Sequence, residues 1–243
     1  MRKQLMSWVI ILLPVCLFSQ TAPLSDSGFA KRNADTAYQQ FSRLLKENLP
    51  YYIGPAYTGH GHGIVGHAFY KTDAFQKGSL QYDGLWYQNV EFKFDLVDGT
   101  VLVMDYNRNF LVELKPEKIG GFEYMGERFI HPRFHDPSNE DVPNGILKVV
   151  FDGAASAFAY EYKRVLYEVT TEKTVYSYKS YSKYWVTIDD SWYQIKSKGQ
   201  IIKLLSKKDP AIKSWAAASK LSFKKDPELY LASICSQYKP SLK

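Results

Sequence analysis

Cysteine is scarce in this chain: its 243 residues include two, Cys16 and Cys235. Cys16 lies in an N-terminal segment that we expect to be removed, so the mature chain would keep Cys235 alone and could form no intramolecular disulfide. The chain also lacks an apolar run long enough to span a bilayer, which takes roughly 20 residues. Burial of apolar side chains therefore has to hold the fold.

Recognisable catalytic motifs are missing as well. The sequence has no Gly-x-Ser-x-Gly elbow, no His-Glu-x-x-His pair and no phosphate-binding glycine loop. Ser180 and Lys183 form a bare Ser-x-x-Lys string without partner motifs. Cys235 is at helical spacing with Leu231 and Tyr238, which predicts a buried small hydrophobe and not a nucleophile. These residues leave open whether the protein is an enzyme and favour a non-catalytic role.

The N-terminus has the pattern of an export signal. Arg2 and Lys3 precede an apolar run from Trp8 to Phe18, after which the chain becomes polar. We expect a signal peptide at residues 1–20, a flexible segment at 21–32 and export to the periplasm or cell surface. Lipidation at Cys16, with membrane association, is the alternative.

Charge is unevenly distributed along the mature chain. Residues 21–159 have 13 Lys and Arg against 17 Asp and Glu, whereas residues 160–243 have 16 against 8. A basic segment can favour phosphate-rich or anionic lipid surfaces. Dispersed lysines on solvated faces explain the same counts, and we expect no nucleic-acid partner for an exported protein.

Aromatic residues are abundant: 19 Tyr, 14 Phe and 5 Trp make up 16% of the chain. Flat side chains pair well across strands, so this composition favours a β-dominated core. Asp-Gly pairs at 83–84, 98–99 and 152–153 predict turns, and the first two bracket a strand from Leu85 to Val97. Large apolar residues in that strand lie at even-numbered positions and therefore on one face, which we expect to be buried: Trp86, Val90, Phe92, Phe94 and Leu96. The other predicted strands are Val101–Tyr106, Phe110–Leu114, Ile146–Phe151, Phe158–Thr170, Val175–Tyr178, Tyr184–Ile188, Trp192–Lys196 and Gln200–Leu204.

Helices are predicted at both ends of this pattern. Asn33 caps a helical repeat over 34–48, and Asp209-Pro210 and Asp226-Pro227 begin helices near 210–220 and 227–238. The expected fold class is mainly β: an antiparallel meander, curled into a half-barrel or sandwich, with one N-terminal helix and two short C-terminal helices. Residues 33–243 should form a single domain with no transmembrane span.

Several segments resemble small exported proteins of Bacteroidota that have no assigned activity. The resemblance is carried by Leu49–Tyr57, Gly66–Phe69, Lys77–Leu80, Tyr82–Tyr87 and Phe94–Asp98, and it extends over about 49–130. It implies a shared fold and a cell-envelope setting. Ala68 replaces a proline of that pattern, and His60 and His62 belong to an insertion peculiar to this chain.

The Gly-rich segment Gly59–His67 is the candidate metal site. Its imidazoles, His60, His62 and His67, could converge on Zn²⁺ or Cu²⁺ if the glycines fold the loop back. A surface loop whose histidines bond to the backbone is the other interpretation. His131 and His135 lie in an acidic, proline-rich segment that we expect to be an exposed excursion, with a weak cation site conceivable there.

Tyrosines alternate with cations in the C-terminal half and define a second candidate site. They could form an aromatic, cationic surface for glycans or anionic lipid headgroups, although cross-strand packing explains the same pattern. The tyrosines are residues 160, 162, 167, 176, 178, 181, 184 and 193, and the cations are Lys163, Arg164, Lys173, Lys179 and Lys183.

Three functional hypotheses follow from these features. The first is an exported, non-catalytic envelope protein that binds a protein, glycan or lipid partner and needs no cofactor. The second is a metal protein or enzyme that uses the His60/His62/His67 loop with Zn or Cu. The third is a curved β-sheet that carries lipid or glycan.

Overall fold

A computed structural model describes residues 44–138, 140–169 and 173–239. All of them belong to one unit, residues 42–243. The predicted signal peptide, the segment 21–32, Cys16 and most of the predicted helix 34–48 lie outside the described residues. Of that helix the structure describes the end, where residues 44 and 45 are helical and Lys46–Asn48 forms a 3₁₀ turn.

The described part of the chain is mainly β, with eleven strands in one open, mixed sheet. None of the described helices is long and apolar enough to cross a membrane. The strands are β1 (Ile64–Val65), β2 (Gln76–Tyr82), β3 (Leu85–Asp95), β4 (Thr100–Met104), β5 (Leu111–Glu113), β6 (Ile119–Tyr124), β7 (Glu127–Ile130), β8 (Leu147–Phe151), β9 (Ala155–Val169), β10 (Thr174–Ile188) and β11 (Ser191–Ile195). The α-helices are α1 (Pro132–His135), α2 (Lys198–Leu205), α3 (Ala211–Ala218) and α4 (Pro227–Gln237).

Two antiparallel meanders make up the sheet. The first runs β2-β3-β4-β5 and the second β6-β7-β8-β9-β10, and they join where β2 pairs with β6. Near one end of β10 the short strand β1 pairs in parallel, and near the other end β11 pairs antiparallel. The meander prediction is therefore confirmed in its main features, and the parallel β1 makes the sheet mixed.

Turn residues account for the tight hairpins. Asp83 and Gly84 have φ of 53° and 82° between β2 and β3, as the Asp-Gly pattern predicts. Asp189 and Asp190 have φ of 48° and 61° between β10 and β11. Aspartate tolerates this left-handed region better than most residues because its short side chain can bond locally.

A bulge in β3 corrects the predicted burial pattern. Val90 pairs with Gly78 but Tyr87 pairs with Leu80, so β3 has one extra residue between them. Asn89, with φ of 57°, lies at this bulge and reverses the side-chain alternation. Tyr87 is consequently buried, whereas Trp86, predicted to be in the core, is 45% exposed.

The C-terminal helices pack on the second meander. Ala155, Ala157 and Val186 of the sheet contact Ile201, Ile212, Leu231 and Ile234 of the helices in one buried cluster. Helices α3 and α4 lie near the two predicted C-terminal helices, and the Asp226 carboxylate caps α4 by accepting from Leu229 N at 2.9 Å. Cys235 is buried, as predicted, and burial raises its pKa to about 12.

Three sequence predictions are wrong or incomplete. Residues 200–204 belong to helix α2, not to a strand, because Ser197 accepts from Gln200 N and begins a helix. Residues 175–178 and 184–188 belong to one continuous strand, β10. Residues 131–144 are not simply an exposed excursion, because His131 and Val142 are buried and α1 lies between them.

Candidate metal centre

The glycine-rich loop before β2 provides the first half of the site. Gly59, Gly61, Gly63 and Gly66 all have positive φ, between 73° and 110°, which few residues other than glycine adopt readily. These glycines fold the loop so that the His60 ring lies between Tyr57 and Tyr178, with ring centroids 5.8 and 6.2 Å away. His60 is therefore a largely buried imidazole, with its side chain 12% exposed.

The turn after β3 provides the second half. Asp95 is the last residue of β3 and is fully buried. Its Oδ1 accepts from the backbone N–H groups of Val97 at 2.7 Å and Asp98 at 3.2 Å, which fixes the carboxylate. The other oxygen, Oδ2, accepts from the Tyr57 hydroxyl at 2.6 Å and lies 2.8 Å from His60 Nε2.

Asp98 completes a group of three potential metal ligands. Its Oδ2 lies 3.6 Å from His60 Nε2, and its side chain is 44% exposed. One ligand atom from each of His60, Asp95 and Asp98 lies within 4.8 Å of the other two. One imidazole and two carboxylates, with one ligand facing solvent, form an open donor set that suits a divalent first-row metal.

The electrostatics of this group favour a cation. Burial, and then the neighbouring charges of Asp98 and Asp95, raise the pKa of Glu113. Burial also raises the pKa of Asp98, with Asp95 adding to the shift and His60 opposing it. Among the residues that the structure describes, neither Asp98 nor Glu113 forms an ion pair with lysine or arginine. A bound cation would relieve this partly desolvated negative charge.

The distances also admit a metal ion. Tetrahedral zinc with ligand bonds of about 2.1 Å needs about 3.4 Å between ligand atoms. The separations of 2.8 and 3.6 Å from His60 Nε2 bracket that value. The distance from His60 to Asp98 is close to this value, and the distance from His60 to Asp95 would have to increase by about 0.6 Å.

The structure does not bring the three predicted imidazoles together. Of His60, His62 and His67, His60 alone belongs to the group above. His62 is exposed, and the His67 ring stacks on Phe69 with centroids 6.2 Å apart. Burial lowers the pKa of His67. The loop thus supplies one ligand, His60. Its partners Asp95 and Asp98 lie in segments that the sequence predicted to be a strand and a turn.

The other histidine pair bonds to the backbone. His131 Nδ1 lies 3.1 Å from the Ile119 carbonyl oxygen, and His135 Nε2 lies 3.2 Å from that of Gly120. Neither ring is grouped with carboxylates as potential ligands among the described residues. Both histidines therefore help to fasten the segment after β7 to β6.

No protein-family model matches the chain, and no curated protein or solved structure matches it either. The site is therefore interpreted from its own geometry.

Proposed function

We propose that the protein binds a divalent metal ion, with zinc the best fit, through His60, Asp95 and Asp98. The observation that supports this most directly is the convergence of three ligand atoms from two separate segments within 4.8 Å of one another. Imidazole nitrogen with carboxylate oxygen is a donor set that zinc accepts, and the exposed Asp98 leaves room for water or a further ligand. Burial and the charges of both aspartates raise the pKa of Glu113, so its carboxyl group lies near them and adds negative charge at this site.

Metal binding would exchange with a proton. Without metal, His60 Nε2 can donate to Asp95 Oδ2, since the two atoms are 2.8 Å apart. A metal ion would take the place of that proton at Nε2, and the neutral imidazole would then carry its proton on Nδ1. Tyr57 would keep its hydrogen bond to Asp95 and orient the carboxylate, as outer partners of metal ligands usually do.

We extend the proposal to a binding role in the cell envelope. Its support is the basic and apolar pattern of residues 2–20, together with the resemblance to small exported proteins. In that setting the metal ion would either serve to stabilise the folded protein or be the ligand that the protein functions to bind.

Metal analysis of the protein purified without a polyhistidine tag tests the proposal. After treatment with a chelator and dialysis against Zn²⁺, elemental analysis should find about one zinc per chain. The variants His60→Gln and Asp98→Asn should each lose it, because each removes one of three ligands. Titration calorimetry with Zn²⁺, Cu²⁺ and Mn²⁺ would rank the metals.

Matched controls come from the same loop and sheet. His62→Gln removes an exposed histidine two residues from His60, and Glu123→Gln removes an exposed carboxylate of β6; both variants should keep the metal. Loss of zinc in His62→Gln as well would favour the set of three imidazoles. A chain that takes up no zinc, copper or manganese would contradict the proposal.

A further inference from the structure

The β9–β10 ribbon presents an aromatic face on the side opposite to the helices. Both strands have fifteen residues, and alternate side chains point to opposite faces. One face includes Ala157 and Val186, which are buried under α2 to α4. The register places on the other face the cross-strand pairs Phe158–Trp185, Tyr160–Lys183, Tyr162–Tyr181 and Arg164–Lys179, with Trp192 of β11 beside them. We call this second set the aromatic face.

The rings of the aromatic face stack on one another. Tyr162 stacks on Tyr160 at 5.5 Å and on Tyr181 at 5.4 Å, with interplanar angles of 22° and 23°. Phe158 and Trp192 lie 4.8 Å apart further along the strip. Tyr162 therefore has two neighbouring rings, Tyr160 and Tyr181. Tyr181 is 38% exposed, so its ring and hydroxyl are accessible to a ligand.

Cations lie over these rings. The Arg164 guanidinium is 5.4 Å from the Tyr162 ring centroid and 5.9 Å from that of Tyr181, and Lys183 Nζ is 5.3 Å from that of Tyr162. Within the described ranges neither of these cations, nor Lys179, forms an ion pair with a carboxylate. Among the described residues of this face the carboxylate is Glu168, which lies toward the tip, about 13 Å along the strand from Arg164.

We propose that the aromatic face binds an acidic polysaccharide, a glycan chain that bears carboxylate or sulfate groups. Charge complementarity is the basis: three cations with no ion-pair partner among the described residues, two of them over tyrosine rings, occupy a strip about 13 Å long from Tyr160 to Arg164. Guanidinium and ammonium groups pair with such anions, and phenol hydroxyls bond to sugar hydroxyls and carboxylates. A chain with repeated anionic groups would contact several of them at once.

Two other polyanionic partners, nucleic acids and anionic lipid bilayers, fit this face less well. Nucleic-acid binding of this type relies on bases stacked on free aromatic surfaces, whereas Tyr160, Tyr162 and Tyr181 already lie against one another. A bilayer would need apolar side chains to insert beside the cations. Next to the cations the exposed aliphatic residue is Leu166, at 41% exposure, which is little to insert. The aromatic face lies apart from the proposed metal ligands, so the two proposals can fail separately.

Affinity measurements with defined polymers test this proposal. The purified protein should bind polygalacturonate, should bind neutral dextran at least tenfold more weakly, and should lose affinity as salt is added. The double variant Arg164→Gln/Lys183→Gln should weaken polygalacturonate binding about tenfold or more, because it removes the two cations fixed over Tyr162. Lys207→Gln/Lys224→Gln makes the same charge change at exposed positions outside the ribbon and should change affinity less than about twofold.

The same series can overturn the proposal. Absence of polygalacturonate binding would do so, and so would an equal loss of affinity in both double variants, which would indicate attraction to the basic C-terminal half in general. An acidic glycan would also be rejected as the ligand if poly(dT), or vesicles containing phosphatidylglycerol, bind as tightly as polygalacturonate or more tightly. Circular dichroism of each variant checks that it is folded.

Discussion

Lys148 is a buried charge whose surroundings explain why it is a structural residue. It is 7% exposed, yet its Nζ lies 2.8 Å from Glu161 and 2.8 Å from Glu228, with Glu127 at 3.7 Å. Burial opposes its charge, but these carboxylates more than compensate and raise its pKa. Because Glu228 belongs to α4 and Lys148 to β8, the ion pair holds that helix on the sheet. Removal of one partner of such a pair leaves the other charges buried and unpaired.

His131 makes stability depend on pH. The ring is 5% exposed, and its burial lowers the pKa below the usual 6.5, with His135 contributing in the same direction. The unfolded state then binds more protons than the folded state at pH just below 6.5, so the free energy of unfolding should fall as the pH drops from about 6.5 toward the folded pKa. The slope can reach about 1.4 kcal/mol per pH unit for one such group. The pKa of His67 is also lowered, so His67 adds to this slope.

Urea unfolding between pH 7 and 5.5 measures this dependence. His131→Gln should flatten the curve, whatever its effect on stability at pH 7, because the titrating group is gone. His62→Gln, at an exposed position, should keep the slope of the parent chain. Equal slopes in the parent chain and in His131→Gln would show that His131 is not responsible.

At the residue scale the sequence identified one of the three proposed ligands. His60 attracted attention because imidazoles and glycines cluster around it. Asp95 and Asp98 did not, because their separation of 35 or more residues from His60 hides the contact. Asp95 alternates with the residues of the predicted buried face of β3, which predicts that it faces solvent, whereas it is buried and its Oδ1 accepts from the turn that follows. Such a site depends on tertiary packing, which the spacing of residues along the chain does not encode.

At the scale of elements, Gly78 marks the point where the two meanders join. It lies in β2 between β3 and β6, and a Cβ there would be 2.2 Å from the Glu123 carbonyl oxygen and 2.9 Å from the Phe92 ring. Gly78→Ala should therefore lower the free energy of unfolding by about 2 kcal/mol or more, since the nearest atom is backbone and has little freedom to move. Denaturant unfolding followed by circular dichroism measures the change.

Gly199 in α2 is the matched control for that substitution. A Cβ at Gly199 meets nothing within 4 Å, and its backbone lies in an ordinary region. Gly199→Ala should therefore leave stability unchanged or raise it by up to about 1 kcal/mol, because alanine favours the helix. If the two variants unfold at the same denaturant concentration, the close strand contact at Gly78 does not matter to stability.

The sequence predicted most strongly those elements that have their own local signals. Asp-Gly turns located β3, and the Asp-Pro pairs at 209–210 and 226–227 each precede a helix, although at α3 the N-cap is Pro210 and not Asp209. Helix α2 was mistaken for a strand, although Ser197 and Gln200 form a capping pair in which Gln200 Oε1 accepts from Lys196 N. Strands β2, β6 and β7 were not predicted as strands, since glycines and polar residues dilute their alternation and their pairing is long-range.

At the scale of the whole described unit, the proposed metal site lies where the two meanders meet a second time. The His60 loop continues into β1, which pairs with β10 of the second meander, whereas Asp95 is the last residue of β3 in the first meander and Asp98 follows it. Lys163 of β9 reinforces this contact: its backbone N–H donates to Leu96 O at 2.8 Å, and its Nζ donates to His67 O and Phe69 O. A metal ion held there would link segments that are distant in both sequence and strand order.

Zinc should accordingly stabilise the entire unit against heat and not only the loop. A ligand at one hundred times its dissociation constant stabilises the folded state by about 2.7 kcal/mol. For a unit of this size that corresponds to a rise in Tm of about 5 to 11 °C, measured by calorimetry with zinc and with chelator. His60→Gln should abolish the shift, and His62→Gln should keep it. A shift of the same size in His60→Gln would place the zinc elsewhere, and absence of a shift in the parent chain would contradict zinc binding at this site.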